Sequence, residues 1–311
     1  MRGPRYLPEP SLVEITVRTI QSRFLLPLTK IVAETIIGVI ARAKERYGVS
    51  VIDVKQMSSH LHLLCFFKDG EQMASFMRYV NSNIARKVGR LIGWRGPFWE
   101  RRYSHVVVTN ETAAQVERLV YLMRNGCKES LVGRPQEWPG VSGVNAMLSG
   151  EMKLRGTWLD LSGQFRAAQR GESTSRRKFV KKHTLELDKL PCWKHLDDED
   201  YRKHVQALVD LITEETATMH ALAGSEPLGV RELKKLRPIH RAANPDRSPK
   251  PLVHAASREK RKQFREGWRR FVESFLAASK RLREGARGVK FPPGSFPPRR
   301  PFVPLTAGPS G

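Results

Sequence analysis

An α+β fold, an antiparallel sheet built on a split βαβ unit and followed by a mainly helical, basic region, is predicted by three features of this sequence. Strand-like alternation and helical periodicity follow one another over residues 1–145 in the order strand, helix, strand, strand, helix, strand, helix. Long amphipathic helical patterns rich in Lys and Arg return over residues 191–290. A chain of 311 residues, 40% of them hydrophobic, can bury the core that such a sheet needs.

The elements follow in order. Val13, Ile15 and Val17 alternate with Glu14, Thr16 and Arg18, which predicts a half-buried strand. Thr29 is placed to cap a helix carrying Ile31, Val32, Ile36, Ile37 and Ile40 at helical spacing, and Gly48 stops it. Strands are predicted over Val51–Met57 and His60–Phe67, separated by the turn residues Ser58 and Ser59. Asp69 precedes a long helix with Met73, Phe76, Met77, Val80, Ile84, Val88 and Leu91 on one stripe. A fourth strand is expected from about Arg102 to Val108, and Thr109 or Asn110 would cap a helix ending near Gly126, with Val116, Leu119, Val120 and Met123 buried. The order corresponds to a ferredoxin-like sheet with helices on one face, in which the third strand is central.

Composition narrows the partners. The formal charge is +24, well beyond what solubility needs, which points to a polyanion such as nucleic acid. The charge sits at both ends of the chain: 21 basic residues face 12 acidic ones in 1–150, the two kinds balance in 151–228, and 21 face 6 in 229–311. No apolar run reaches the roughly 20 residues of a membrane span and no signal-peptide pattern opens the chain, so a cytoplasmic protein is expected. Cys65, Cys127 and Cys192 lack Cys-x-x-Cys spacing and are read as buried or half-buried thiols.

The chemistry concentrates in two places. His60 and His62 lie two apart on a strand, so both imidazoles project from one face and can share a metal ion. Tyr121 and Asn125 lie four apart on a helix and are presented together, the tyrosine at the edge of the buried stripe. A phenol has an ordinary pKa near 10 and needs activation, while a phosphodiester needs its charge neutralised, a task suited to a divalent cation with free coordination positions. Mg²⁺ or Mn²⁺ would match a shell completed by oxygen. Trp94, Phe98, Trp99 and Tyr103, interleaved with Arg95, Arg101 and Arg102, form the mixture of stacking rings and cations that suits unpaired bases, or a loop packed on the sheet. Arg86, Lys87 and Arg90 lie mostly off the apolar stripe of the long helix and join them as expected DNA contacts.

The element order, the strand His60-Leu61-His62-Leu63-Leu64, the segment Trp94–Tyr103 and the Tyr121-x-x-x-Asn125 helix together resemble the single-tyrosine HUH transposases, in the branch related to REP-associated tyrosine transposases. The resemblance covers about residues 10–145. It implies that Tyr121 is the nucleophile, with His60, His62 and Asn125 as metal ligands. It also implies cleavage and rejoining of single-stranded DNA, often beside a hairpin, through a 5′-phosphotyrosine, in a bacterial cytoplasmic enzyme acting as a monomer or homodimer. Where relatives often read Asn-Pro-Val-Arg this chain has Asn125-Gly126-Cys127-Lys128, and Ser58-Ser59 replaces their Pro-Asn before the first histidine. The rival readings are a non-catalytic nucleic-acid-binding protein on the same fold and a metal-dependent phosphoesterase without a covalent step. A histidine-triad hydrolase is excluded because Leu64 stands where its third histidine would fall.

Residues 146–190 read as a linker or basic arm. Residues 191–290 form a helical region expected to contact DNA, with helices from Asp197 to about Met219, within Leu228–Ile239 and from Ser257 to about Glu284. Residues 291–311 read as a Pro-rich disordered tail.

Overall fold

The computed structural model describes residues 4–8, 10–241 and 251–296. Its elements in chain order are β1 (Ser11–Arg18), α1 (Lys30–Tyr47), β2 (Ser50–Gln56), β3 (His60–Phe67), α2 (Gly70–Leu91), β4 (Ser104–Val108) and α3 (Thr112–Arg124). Then come α4 (Val144–Leu148), β5 (Lys153–Leu159), α5 (Leu161–Gln169), α6 (Arg176–Phe179) and β6 (Val180–Glu186). The chain continues with α7 (Asp198–Ala223), α8 (Val230–Leu233), β7 (Val253–His254) and α9 (Arg258–Arg283). The main sheet has the order β2-β3-β1-β4-β7, all antiparallel except for the parallel β4–β7 pair. The first four strands thus have the predicted ferredoxin-like arrangement, with β3 between β2 and β1 and β7 added beside β4.

Local chemistry accounts for most boundaries. Gly48 ends α1 in a left-handed conformation (φ 60°), its N–H bonded to the Lys44 carbonyl. The Asp69 carboxylate accepts from the Gln72 N–H at 2.7 Å and opens α2. Thr29 does stand before α1, though its side chain makes no capping bond. At α3 the cap is neither Thr109 nor Asn110 but Glu111. Its carboxylate accepts from the Thr109 hydroxyl and from the backbone N–H groups of Ala256 and Ser257, which ties the start of α9 to the start of α3. Those donors hold the Glu111 carboxyl down at about 2.

The sheet is covered on both faces, which corrects the expectation of helices on one face. Paired residues of an antiparallel ladder share a face. Phe67 belongs to the face of Leu61, Leu63 and Cys65, and its ring meets Phe76 of α2 at 5.8 Å. The opposite face carries Glu14, Thr16, Asp53, Lys55 and His62, and all five are buried. Here α3 lies over β1, with the Arg118 guanidinium on the Glu14 carboxylate at 2.9 Å. The alternation of β1 therefore separates two buried surfaces rather than core from solvent.

Residues 146–190 are not a linker. β5 and β6 form an antiparallel two-stranded sheet that packs on α1, with α5 and α6 in the connection between them. Two glycines permit the approach: a Cβ on Gly38 would stand 2.1 Å from the Thr157 carbonyl oxygen, and one on Gly156 would stand 2.4 Å from the Gly38 nitrogen. Trp158 then stacks on Tyr79 of α2 at 6.1 Å. Gly38→Ala should destabilise the protein by about 3 kcal/mol, the upper range for overpacking, because backbone rather than a movable side chain blocks the new methyl. Chemical denaturation measures the loss, and hydrogen exchange should show faster exchange in β5 and β6 than in β3.

The C-terminal helices largely match their periodicity. The Asp197 carboxylate caps α7, whose buried stripe includes Tyr201, Val205, Val209 and Ile212. The helix expected within Leu228–Ile239 is a single turn at α8. Ser257 caps α9, and the rings of Phe264 and Phe271 lie against Tyr6 at 5.2 and 5.1 Å. The Pro-rich segment begins ordered: Phe291 meets Phe275 at 5.4 Å, and the Gly294 backbone lies beside Gly70. The rest of the expected tail, 297–311, lies outside the described residues. Cys65 and Cys127 are buried and Cys192 half-buried, each as a free thiol. No helix among the described residues is long and apolar enough to cross a membrane.

Candidate active site

His60 and His62 project from β3 onto the face covered by α3, with ring centroids 4.9 Å apart. Tyr121 reaches the same place from α3: its ring is half-buried and meets His62 edge-on at 5.9 Å. The sheet supplies one imidazole pair and the covering helix supplies the phenol.

Beneath the rings is a buried ionic network that the sequence did not reveal. Glu14 accepts from Arg118 Nη1 at 2.9 Å and from the Thr16 hydroxyl at 2.9 Å, and its Oε1 is 2.9 Å from His62 Nδ1. A carboxylate at Nδ1 draws the ring proton to that nitrogen and places the lone pair on Nε2, the arrangement that orients a metal-binding histidine. His60 has the Ser59 hydroxyl 3.0 Å from its Nδ1. Glu14 was visible only as the polar partner in an alternating strand. Nothing in that pattern says that a second layer buries it.

Two cations bracket the phenol ring, Arg118 Cζ at 4.9 Å and Lys128 Nζ at 4.4 Å from its centroid. Positive charge therefore stands beside the Tyr121 ring. Lys55, paired with His62 across the β2–β3 ladder, is fully buried near the Trp138 ring, and burial lowers its ammonium to about 8 against the attraction of Asp53. Burial likewise pushes the Asp53 carboxyl up to about 6, although Lys55 and the N–H groups of Val54 and Gly143 oppose the shift.

Asn125 does not continue the helix as the spacing suggested. It is the residue after α3 (ψ 129°), buried, with Nδ2 donating to the Tyr121 carbonyl at 2.8 Å. The amide nitrogen is thus committed to the helix end, and Oδ1 is the atom with donor chemistry for a cation. Gly126 follows at φ 101°, where a Cβ would stand 2.7 Å from the Trp138 ring, and the Trp138 indole N–H donates to the Gln56 carbonyl. This turn packs the end of α3 onto β2.

Two imidazoles on β3 and an amide oxygen at the end of α3 are donor types suited to a divalent ion. Among the described residues no group of three His, Cys, Asp or Glu side chains stands at metal-binding spacing.

The basic loop meets the histidine end of the sheet. Thr19 bridges to Trp99, the Glu100 N–H donates to the Arg18 carbonyl, and Arg18 pairs with His60. Arg95, Arg101 and Arg102 are exposed on this loop, and Arg86 and Arg90 are exposed on α2. Lys87 departs from its expected role: its ammonium is turned inward onto the Leu159 carbonyl and over the Trp158 ring at 3.7 Å. Trp99 is seated as a packing residue, edge-on to Phe98 at 4.8 Å, with its indole N–H on the Asn81 carbonyl at 2.9 Å.

Residues 14–122 match the family model described as IS200-like transposase. These residues form an IS200-like transposase domain. The domain occupies about a third of the chain and contains most of β1, all of β2 to β4 and most of α3, with His60, His62 and Tyr121 inside it. No curated protein sequence matches the chain. Among solved structures it is similar to a REP-associated tyrosine transposase bound to a REP hairpin, with 16% identity over 48% of this chain and 86% of that one, and a TM-score of 0.41. It is also similar to a candidate transposase from Deinococcus radiodurans R1, with 18% identity over 39% of this chain and 95% of that one, and a TM-score of 0.27. The IS200-like transposase domain is followed here by α4 to α9, beyond the matched residues.

Proposed function

We propose that the transposase domain cleaves and rejoins single-stranded DNA beside a hairpin, with Tyr121 as nucleophile. The observation that carries this reading is the meeting of Tyr121 and His62 at 5.9 Å on the face that also presents His60. The phenol oxygen forms a bond to the scissile phosphorus as the bond from phosphorus to the 3′ oxygen breaks. The phenol loses its proton, the departing 3′ oxygen gains one, and the products are a 5′-phosphotyrosine and a free 3′ hydroxyl. The energy of the broken bond stays in the new ester, so a 3′ hydroxyl can reverse the step on another strand.

His60, His62 and Asn125 would hold a divalent ion, Mg²⁺ or Mn²⁺, which supplies charge neutralisation and orientation of the phosphate when bound. Glu14 fixes the His62 ring through Nδ1, and Arg118, itself held by Glu14, places a cation beside the Tyr121 ring. Lys128 adds a second cation at that ring. Arg95, Arg101 and Arg102 stand on the loop joined to the His60 end of the sheet, suited to the flanking phosphates.

Incubating the full chain with a hairpin-flanked single-stranded oligonucleotide and Mg²⁺ or Mn²⁺ should yield a denaturation-resistant protein–DNA adduct. Mass spectrometry of the digested adduct should place the nucleotide on the peptide containing Tyr121. Cleavage with no protein on either DNA end would instead establish a hydrolytic phosphoesterase.

A further inference from the structure

The strongest unassigned charge on the molecule lies on α9, outside the transposase domain. This helix carries ten Lys or Arg residues against three Glu. Arg258, Lys262, Arg265 and Arg269 are spaced by four, three and four residues, so they form one stripe along about 16 Å of helix at 1.5 Å per residue. All four are exposed; Glu273 and Leu276 follow them on the same line before Lys280 and Arg283. The stripe cannot rotate inward: Phe264 and Phe271 are buried against Tyr6, and Gly267 lets the Tyr6 hydroxyl come within 2.6 Å of where a Cβ would stand.

These cations are not balanced by ion pairs among the described residues. None of the four is in an ion pair with a carboxylate among the described residues, although Glu266 and Glu273 lie one turn from Lys262 and Arg269. On α7, by contrast, Lys203 is paired with both Glu199 and Asp200. Like charges one turn apart oppose helix formation by a few tenths of a kcal/mol per pair, and an anionic partner removes that repulsion. The charge also continues toward the active-site loop. Tyr6 beneath α9 is followed back along the chain by Arg5, whose guanidinium lies 3.5 Å over Tyr103, the residue next to Arg101 and Arg102.

We infer that α9 is a docking surface for the phosphate backbone of duplex DNA, separate from the residues that act on the scissile strand. A rigid, straight row of cations suits the regular phosphates of a duplex, about 3.4 Å apart along the axis in each strand. A flexible single strand gains nothing from that regularity. The inference rests on the DNA-cleaving reading above and assigns to α9 the paired stem that flanks the cleaved strand.

The test uses the full chain carrying R258Q, K262Q, R265Q and R269Q, with binding measured by fluorescence anisotropy against salt concentration. For a paired stem, the slope of log affinity against log salt should fall in magnitude by about 3.6, at about 0.9 for each phosphate no longer neutralised. For an unpaired strand of equal charge it should change by less than about 1. The pair R265Q and R269Q alone should lower the stem slope by about 1.8, which reads the same surface should the fourfold variant misfold. An unchanged stem slope in folded protein, or an equal fall for the unpaired strand, overturns the inference. Adduct formation by the unaltered chain on a hairpin-flanked strand, assayed separately, reports on Tyr121 chemistry. Its failure would sink the cleavage reading while leaving the slope comparison interpretable.

Discussion

Tyr121→Phe should bind hairpin-flanked DNA as the unaltered chain does and form no denaturation-resistant adduct with Mg²⁺ or Mn²⁺. The substitution removes one oxygen and leaves the ring, so the approaches to His62 at 5.9 Å, Arg118 at 4.9 Å and Lys128 at 4.4 Å persist. A half-buried ring that keeps its packing should change stability by no more than about 0.5 kcal/mol. Loss of the adduct with binding and melting unchanged would therefore report on the nucleophile alone. An adduct of ordinary yield in this variant would mean that another side chain attacks, and the proposed role of Tyr121 would have to be abandoned.

Glu14→Gln should reduce both folding stability and cleavage. The carboxylate is 1% exposed and receives the Arg118 guanidinium, itself only 8% exposed, at 2.9 Å. Removing the negative charge leaves a buried cation without its counter-ion, a loss of about 3–5 kcal/mol for a broken buried pair. The same carboxylate lies 2.9 Å from His62 Nδ1, and at the proposed metal site the loss of such a partner should weaken metal affinity by about 10- to 100-fold. Denaturant unfolding and calorimetric titration with Mn²⁺ separate the two effects. The double variant Glu14→Gln with Arg118→Met should regain part of the stability, because no charge is then stranded, but none of the metal affinity. If the single variant unfolds like the unaltered protein, the buried network does not hold α3 to the sheet.

The local patterns of residues 1–145 carried much of this architecture. Period-two alternation in β1 and the turn at Ser58-Ser59 placed the strands, and the Asp69 and Gly48 signals placed the limits of two helices, because these effects act within one turn of chain. His60 and His62 were legible as a same-face pair for the same reason. The tyrosine at the edge of the apolar stripe was legible from helical spacing. Residues 153–186 misled, since β5 and β6 are short and polar and are held by a close backbone approach at Gly38 and Gly156 that no periodicity records.

The sequence alone determined the order of strands and helices in the transposase domain, the face shared by the two histidines and the Lys- and Arg-rich amphipathic character of the C-terminal helices. Each depends on residues a few positions apart. Tertiary structure decided which layer covers the histidine face, and so that Glu14 and Arg118 meet in the interior across 104 positions. It also decided that Lys87 points inward to Trp158 and the Leu159 carbonyl. Burial and charge pairing depend on what packs above a residue, and in both cases the covering segment is distant in the chain.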